Sequence, residues 1–210
     1  MFLLFDAANT LINKPSFYDI FLDVLNKYDY RIDKNRFQNI HKFLSEAVDF
    51  PDKTSKEFYS KFNSELLYAL GILPKETLLN DLFNACSYLP WDKYEDTKYL
   101  KNIPLKKVII SNFHKGLSKI IENLFDDLFF KIIISEEESL RKPDIRFFEK
   151  AIKNLNVKPN EIIYIGDSVK LDIKPAIELG IKAILIDRIN FYQETNLIRI
   201  TDLAQLKYLI

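Results

Sequence analysis

Two segments of the sequence place carboxylates where they could do chemistry, one directly after an apolar run and one directly after a glycine. Asp6 comes directly after the apolar run Phe2–Phe5. A carboxylate at such a position, facing a loop, can act as a nucleophile toward phosphorus or carbon. Asp167 and Asp172 follow Gly166, whose missing side chain permits a tight turn. Two carboxylates in one loop supply the oxygen ligands that Mg²⁺ prefers, so this segment is a candidate metal site.

Two further segments supply a hydroxyl and an ammonium group. Ser111 and Asn112 follow the apolar run Val108–Ile110, and a hydroxyl there can hold a phosphoryl oxygen. Lys142 precedes Pro143, and its ammonium group can neutralise charge on a nucleophile and on a transferring group. Each segment alone is weak evidence, since an Asp after a strand is often a helix N-cap and a Ser-Asn pair is usually a turn. Their order and spacing are more specific, because three of the four lie at the ends of predicted strands.

The elements that must position these residues alternate between strand and helix. Short apolar runs predict buried strands at Phe2–Phe5, Lys107–Ile110, Phe130–Ile134, Ile162–Ile165 and Ala183–Ile186. Helical patterns separate or follow them at Leu117–Leu124, Ile145–Leu155 and Leu171–Leu179. This alternation predicts an α/β fold with a doubly wound, Rossmann-like parallel sheet. In such a sheet the ligand site lies at the carboxyl ends of the strands, where the acids and hydroxyls of this sequence fall.

A long stretch after the first strand has a different pattern. Residues 14–95 show helical periodicity and little strand signal, with Pro51 and Gly71 at the turns. The simplest interpretation is a bundle of four helices inserted into the α/β fold. We therefore predict a core domain of residues 1–13 and 96–210 and an inserted helical domain of residues 14–95.

The four polar segments together resemble the ordered motifs of the haloacid dehalogenase-like (HAD) hydrolase superfamily. The matching segments are Phe5–Leu11, Ile110–Asn112, Arg141–Asp144 and Ile165–Asp172. The resemblance extends from Phe2 to about Ile186. The helical insert between the first and second motifs resembles the cap of this family, which closes over the site and selects the substrate.

The resemblance implies a role for each matching residue. Asp6 would be the nucleophile and form an aspartyl-phosphate, and Lys142 would steady the charge on Asp6 and on the phosphate. Thr10 and Ser111 would bind phosphoryl oxygens, with Asn112 beside them. The substrate would be a small phosphorylated, and therefore anionic, molecule.

The resemblance also implies a Mg²⁺ cofactor. Asp6, the backbone carbonyl of Ala8 and Asp167 would hold the metal, and Asp172 would support it through water or orient the ligands. A divalent cation at this position offsets the repulsion between the carboxylate of Asp6 and an anionic phosphate.

Ala8 departs from the phosphatase pattern of the family. Phosphatases of this family usually have a second Asp there, which protonates the leaving group and then activates water, a role worth about 10²–10⁴-fold in rate. Ala8 is compatible with a phosphohydrolase that has a good leaving group or takes its acid from elsewhere. It is also compatible with a carbon–phosphorus hydrolase that forms an imine on a lysine of the insert, or with a carbon–halogen hydrolase. A protein that binds a phosphorylated ligand or a partner without turnover is the fourth alternative.

The composition excludes several other classes of function. The formal net charge is zero and no basic block is present, so nucleic acid is not an expected partner. No run approaches the roughly 20 apolar residues that a membrane span needs. The single cysteine, Cys86, excludes an internal disulfide. We expect a cytoplasmic enzyme, and the sequence indicates no particular oligomeric state.

Overall fold

A six-stranded parallel sheet forms the centre of the fold. A computed structural model describes residues 1–210 of the chain. The strands of the sheet are β1 Phe2–Phe5, β4 Lys106–Ser111, β5 Lys131–Ile134, β6 Ile162–Gly166, β7 Lys182–Ile186 and β8 Arg199–Ile200. The strand order is β5-β4-β1-β6-β7-β8, and every neighbouring pair is parallel. The predicted α/β fold is therefore confirmed.

The strand register brings the polar strand ends together. Phe5, the last residue of β1, lies opposite Ile109 of β4 on one side and Ile165 of β6 on the other. The backbone N–H of Asp6 continues this ladder by donating to the carbonyl of Ile165 at 2.9 Å. Because β1 lies between β4 and β6, the residues that follow these three strands share one edge of the sheet.

Helices cover the sheet and bury its apolar side chains. They are α5 Leu117–Phe125, α6 Ser135–Glu138, α7 Ile145–Leu155 and α8 Lys174–Glu178, with short 3₁₀ helices at Glu95–Asn102, Pro159–Glu161 and Leu203–Tyr208. The core between sheet and helices includes Leu4, Val108, Phe147, Phe148 and Tyr164, all fully buried.

The helix predicted for Leu171–Leu179 differs from the observed one. A π-helical turn at Val169–Ile173 precedes α8, and the carbonyl of Ser168 accepts from the N–H groups of both Asp172 and Ile173. Pro175 has no N–H with which to continue a regular ladder at this point. The wider turn also fixes the position of Asp172, the last acid of the fourth motif.

The chain divides into two compact units, residues 1–13 with 92–210 and residues 14–91. The second unit begins at the predicted residue 14 but ends at residue 91, four residues before the predicted end at residue 95. The reason is a small antiparallel pairing of β2, Ile12–Asn13, with β3, Asp92–Lys93. Tyr94 extends this pairing, since its N–H donates to the carbonyl of Leu11 at 3.0 Å. The division into independent domains stays a prediction.

Four helices make up the unit of residues 14–91. They are α1 Phe17–Lys27, α2 Lys34–Ala47, α3 Lys56–Leu70 and α4 Glu76–Cys86. Asp33 and Ser55 cap the starts of α2 and α3 by accepting backbone N–H groups. Gly71 ends α3 with φ +82°, a left-handed conformation that favours glycine. No helix of the protein combines the length and the apolar character needed to cross a membrane.

A histidine lies inside the aromatic core of this helical unit. The ring centroids of Phe17, Tyr18, Phe37 and Phe62 lie 5.1 to 6.2 Å from the centroid of the His41 ring. Burial lowers the pKa of His41 to about 4, and the charge of the neighbouring Lys42 adds to this effect. His41 is therefore neutral in the folded state, whereas an unfolded chain protonates it below about pH 6.5.

We predict that acidification destabilises the helical unit through His41. Since the folded-state pKa lies below the unfolded value, the contribution of His41 to folding is present above about pH 6.5 and is lost as the pH falls toward 4. Replacing His41 with Gln should flatten the decrease in unfolding free energy between pH 7 and pH 5 by about 1–2 kcal/mol. Tyr18→Phe, which keeps the imidazole, should retain the wild-type slope. Denaturant titrations across this pH range test this, and equal slopes for wild type and His41→Gln would contradict it.

Candidate active site

The carboxylate of Asp6 meets side chains from two other segments. Asp6 follows β1 and is 6% exposed. The hydroxyl of Ser111, the last residue of β4, donates to Oδ1 of Asp6 at 3.1 Å. Nζ of Lys142, which lies before α7, donates to the same oxygen at 2.6 Å. Ser111 of the second motif and Lys142 of the third therefore both contact one carboxylate oxygen of Asp6, in the first motif.

The ammonium group of Lys142 lies among acceptors on all sides. Its Nζ also donates to Oδ1 of Asp172 at 2.6 Å and to the hydroxyl oxygen of Tyr164 at 3.3 Å. Burial alone would lower the pKa of Lys142, but the charges of Asp172 and Asp6 outweigh burial and hold the pKa above its usual range. Lys142 therefore remains charged although its side chain is only 3% exposed.

The main chain of Lys142 is held by the side chain of Asn112. The amide nitrogen of Asn112 donates to the carbonyl of Lys142 at 2.8 Å, and the N–H of Lys142 donates to the amide oxygen at 2.7 Å. The peptide bond between Lys142 and Pro143 is cis. The sequence predicts Asn112 beside the phosphoryl group, and the structure shows that its amide supports the segment that carries Lys142.

The fourth motif places Asp172 against the backbone of its own loop. Oδ1 of Asp172 accepts from Lys142 and from the hydroxyl of Tyr164 at 2.7 Å, and Oδ2 accepts from the N–H of Ser168 at 3.0 Å. A Cβ on Gly166 would lie 2.4 Å from Cγ of Asp172. The role of Gly166 is therefore to leave room for this carboxylate.

Three carboxylates are arranged in a way that suits a divalent cation. Asp6, Asp167 and Asp172 each offer an oxygen, and these oxygens all lie within 4.8 Å of one another. Burial raises the pKa of Asp6 to about 7; Lys142 opposes this, and the negative charges of Asp172 and Asp167 add to it. The cluster thus carries more negative than positive charge, and a hard cation such as Mg²⁺ would relieve the excess.

The turn after Asp6 contains the two remaining predicted residues. Ala8 is partly exposed, and its methyl group offers no proton-transfer function. Asn9 follows in a left-handed conformation with φ +59°. Thr10 is fully buried, and its hydroxyl has no hydrogen-bond partner in the structure. Because the Thr10 hydroxyl is shielded from solvent in this arrangement, its contact with a phosphoryl oxygen stays a prediction.

The structure adds residues that sequence reasoning misses. Tyr164 contributes its hydroxyl to the Lys142–Asp172 pair from the middle of the buried strand β6. Burial raises the pKa of Tyr164 well above its usual range, so the hydroxyl is a donor. Arg188 donates to the carbonyl of Thr10 at 2.7 Å and forms a two-point ion pair with Asp96. The only sequence signal for Tyr164 is a phenol two residues before Gly166 in an otherwise aliphatic strand.

Comparison with known proteins agrees with this arrangement. Residues 93–186 match the family of haloacid dehalogenase-like hydrolases. The HAD hydrolase YfnB of Bacillus subtilis, solved with bound magnesium, superposes with a TM-score of 0.69 at 18% identity, covering 99% of this chain and 97% of that one. Residues 93–186 therefore resemble haloacid dehalogenase-like hydrolases in sequence, and the chain as a whole resembles a protein of that superfamily in fold.

Proteins with different activities are similar to this chain. L-2-haloacid dehalogenase of Xanthobacter autotrophicus superposes on this chain with a TM-score of 0.66 at 18% identity, again over 99% of this chain and 97% of that one. A glyceraldehyde 3-phosphate phosphatase of Pyrococcus furiosus is 33% identical over 146 residues, which are 61% of this chain and 59% of the relative. The chain therefore spans less than two thirds of the length of the curated relatives it matches first.

We predict that Asp167 contributes more to Mg²⁺ affinity than Asp172. Both oxygens of Asp172 already accept hydrogen bonds from Lys142, Tyr164 or the N–H of Ser168. Isothermal calorimetry with Mg²⁺ alone should show a strong loss of affinity for Asp167→Asn and a smaller loss for Asp172→Asn. Asp144→Asn, at a partly exposed position where the amide oxygen can still cap the start of α7, serves as the control and should bind like wild type. Equal affinity in all four proteins would show that the metal assignment is wrong.

Proposed function

We propose that this protein is a Mg²⁺-dependent phosphohydrolase that acts on a small phosphorylated metabolite through an aspartyl-phosphate on Asp6. The observation that carries the proposal is the buried ammonium of Lys142, which lies 2.6 Å from the carboxylates of both Asp6 and Asp172. Relatives named glyceraldehyde 3-phosphate phosphatase support a small phosphorylated substrate. The helical unit of residues 14–91 is proposed as the cap that selects this substrate.

Each side chain of the site has a task in this reaction. Asp6 attacks phosphorus, so that an Asp6–phosphorus bond forms through oxygen while the bond to the leaving oxygen breaks. Ser111 donates a hydrogen bond to the transferring group, and Lys142 offsets the negative charge on Asp6 and on that group. Water then attacks the same phosphorus, which releases phosphate and regenerates the carboxylate. Asp6, Asp167 and Asp172 would hold Mg²⁺, which supplies positive charge against the repulsion between two anions.

Ala8 restricts the substrates that this chemistry serves well. With no acid at position 8, a leaving oxygen must depart as a stable anion or take its proton from another group. Acyl and aryl phosphates meet the first condition, whereas alkyl phosphates do not.

A carbon–phosphorus hydrolase is the second candidate, and Lys14 favours it. Burial lowers the pKa of Lys14, whose Nζ lies 3.4 Å from the carbonyl oxygen of Ser87 and 5.5 Å from the ring centroid of Trp91. A lysine with a lowered pKa is more often neutral and so can form an imine with a carbonyl substrate. Ala8 is compatible with this chemistry as well.

We predict that Ala8→Asp raises the turnover of alkyl phosphates far more than that of aryl phosphates. The new carboxylic acid would protonate a leaving alkoxide, which is worth about 10²–10⁴-fold for a poor leaving group. An aryl phosphate leaves as a stabilised anion and gains little. Steady-state kinetics with matched alkyl and aryl phosphates measure the difference. Ala8→Asn is the control, because asparagine has the size of aspartate but cannot transfer a proton.

Several outcomes separate the alternatives. Equal gains for both substrate classes, or no gain in a folded Ala8→Asp variant that binds Mg²⁺, would contradict a phosphohydrolase that lacks its acid. Borohydride trapping of a phosphonate aldehyde on wild-type protein, abolished by Lys14→Arg, would identify the carbon–phosphorus hydrolase. Ligand binding with no release of phosphate in any variant would identify a binding protein.

A further inference from the structure

We infer that Tyr164 is a positioning residue for Lys142 and Asp172, through its hydroxyl group. The inference rests on the proposed function for its effect on catalysis, but the contacts that support it are independent of any substrate. The hydroxyl lies 3.3 Å from Nζ of Lys142 and 2.7 Å from Oδ1 of Asp172. Tyr164 therefore contacts both members of the ion pair on which the proposed nucleophile depends.

The hydrogen bonds around Lys142 leave no donor to spare. An ammonium group has three protons, and Lys142 has three acceptors, which are Asp6, Asp172 and Tyr164. Tyr164 in turn donates its own proton to Asp172. Without the hydroxyl, one N–H of a buried cation loses its acceptor and Oδ1 of Asp172 loses one of its two donors.

The phenol ring is fixed by packing, so the hydroxyl is held at a defined point. Tyr164 is fully buried on the central strand β6, and its ring centroid lies 5.3 Å from that of Phe148 on α7. Replacing Tyr164 with Phe removes only the hydroxyl and keeps this ring contact. Loss of the hydroxyl frees Lys142 to move away from Asp6. Small displacements of a group that acts on the transferring phosphate lower the reaction rate strongly.

The test combines a chemical measurement with a kinetic one. Acetylation of the full-length protein with N-hydroxysuccinimide acetate, read out by mass spectrometry, reports how well Lys142 is held. Labelling of Lys142 should be at least threefold faster in Tyr164→Phe than in wild type, whereas the exposed Lys174 should be labelled equally in both. With p-nitrophenyl phosphate and Mg²⁺, kcat should fall about fivefold to fiftyfold while KM stays within twofold.

A matched variant separates positioning from general loss of packing. Phe148→Leu disturbs the same ring pair but leaves the hydroxyl of Tyr164 in place. If Tyr164 acts through its hydroxyl, Phe148→Leu should lower the melting temperature at least as much as Tyr164→Phe while leaving Lys142 labelling and kcat near wild type.

Lys142 labelling and kcat in the two variants decide whether Tyr164 positions Lys142. Unchanged Lys142 labelling in Tyr164→Phe, or an equal increase in Phe148→Leu, would overturn the positioning role. Faster labelling with an unchanged kcat would overturn its contribution to catalysis. Faster labelling confined to Tyr164→Phe, in a protein whose wild type releases no phosphate from any substrate, would support the positioning role and contradict the proposed function instead.

Discussion

A buried cation between two carboxylates is the interaction on which the rest of the site depends. Removing one partner from a buried ion pair costs about 3–5 kcal/mol, because the remaining charge has no compensation. Lys142 avoids this cost only while Asp6 and Asp172 both stay within hydrogen-bond distance. The two acids come from opposite ends of the sequence, so the fold must hold three distant segments in register to keep the cation neutralised.

The local structure around Lys142 can be understood from this requirement. Asn112 holds its main chain, Gly166 leaves space for the carboxylate of Asp172, and the π-helical turn at Val169–Ile173 sets where that carboxylate lies. The sheet order brings Asp6, Ser111 and the fourth motif to one edge, because β1 lies between β4 and β6. Arg188 adds a second tie, since it links the carbonyl of Thr10 to Asp96, 86 residues further along the chain.

The sequence predicts the parts of this arrangement that leave a periodic or compositional signal. The apolar runs predict five of the six strands in the sheet, and helical periodicity predicts the four helices of the insert. The strand β8 is two residues long and leaves no such signal. The π-helical turn depends on shared acceptance by one carbonyl, that of Ser168, which no pattern of residue types encodes. The roles of Tyr164 and Asp96 cannot be predicted from the sequence for another reason. Each acts through a partner that is distant in sequence and adjacent only after folding.

The charge of the site limits what it can bind and how it can react. The negative charges of Asp6, Asp167 and Asp172 together exceed the positive charge of Lys142, so the anionic substrate of the proposed function would need another cation to enter with it or before it. In the proposed reaction metal and phosphate binding would therefore be coupled, because the cation held by these acids would supply the positive charge that attracts the phosphate. Nothing at position 8 can then supply a proton, since Ala8 carries only a methyl group. Under the proposed function the site would thus stabilise charge on phosphorus but not on the leaving oxygen, and for this reason the leaving group, more than the phosphoryl group, would govern which substrates turn over.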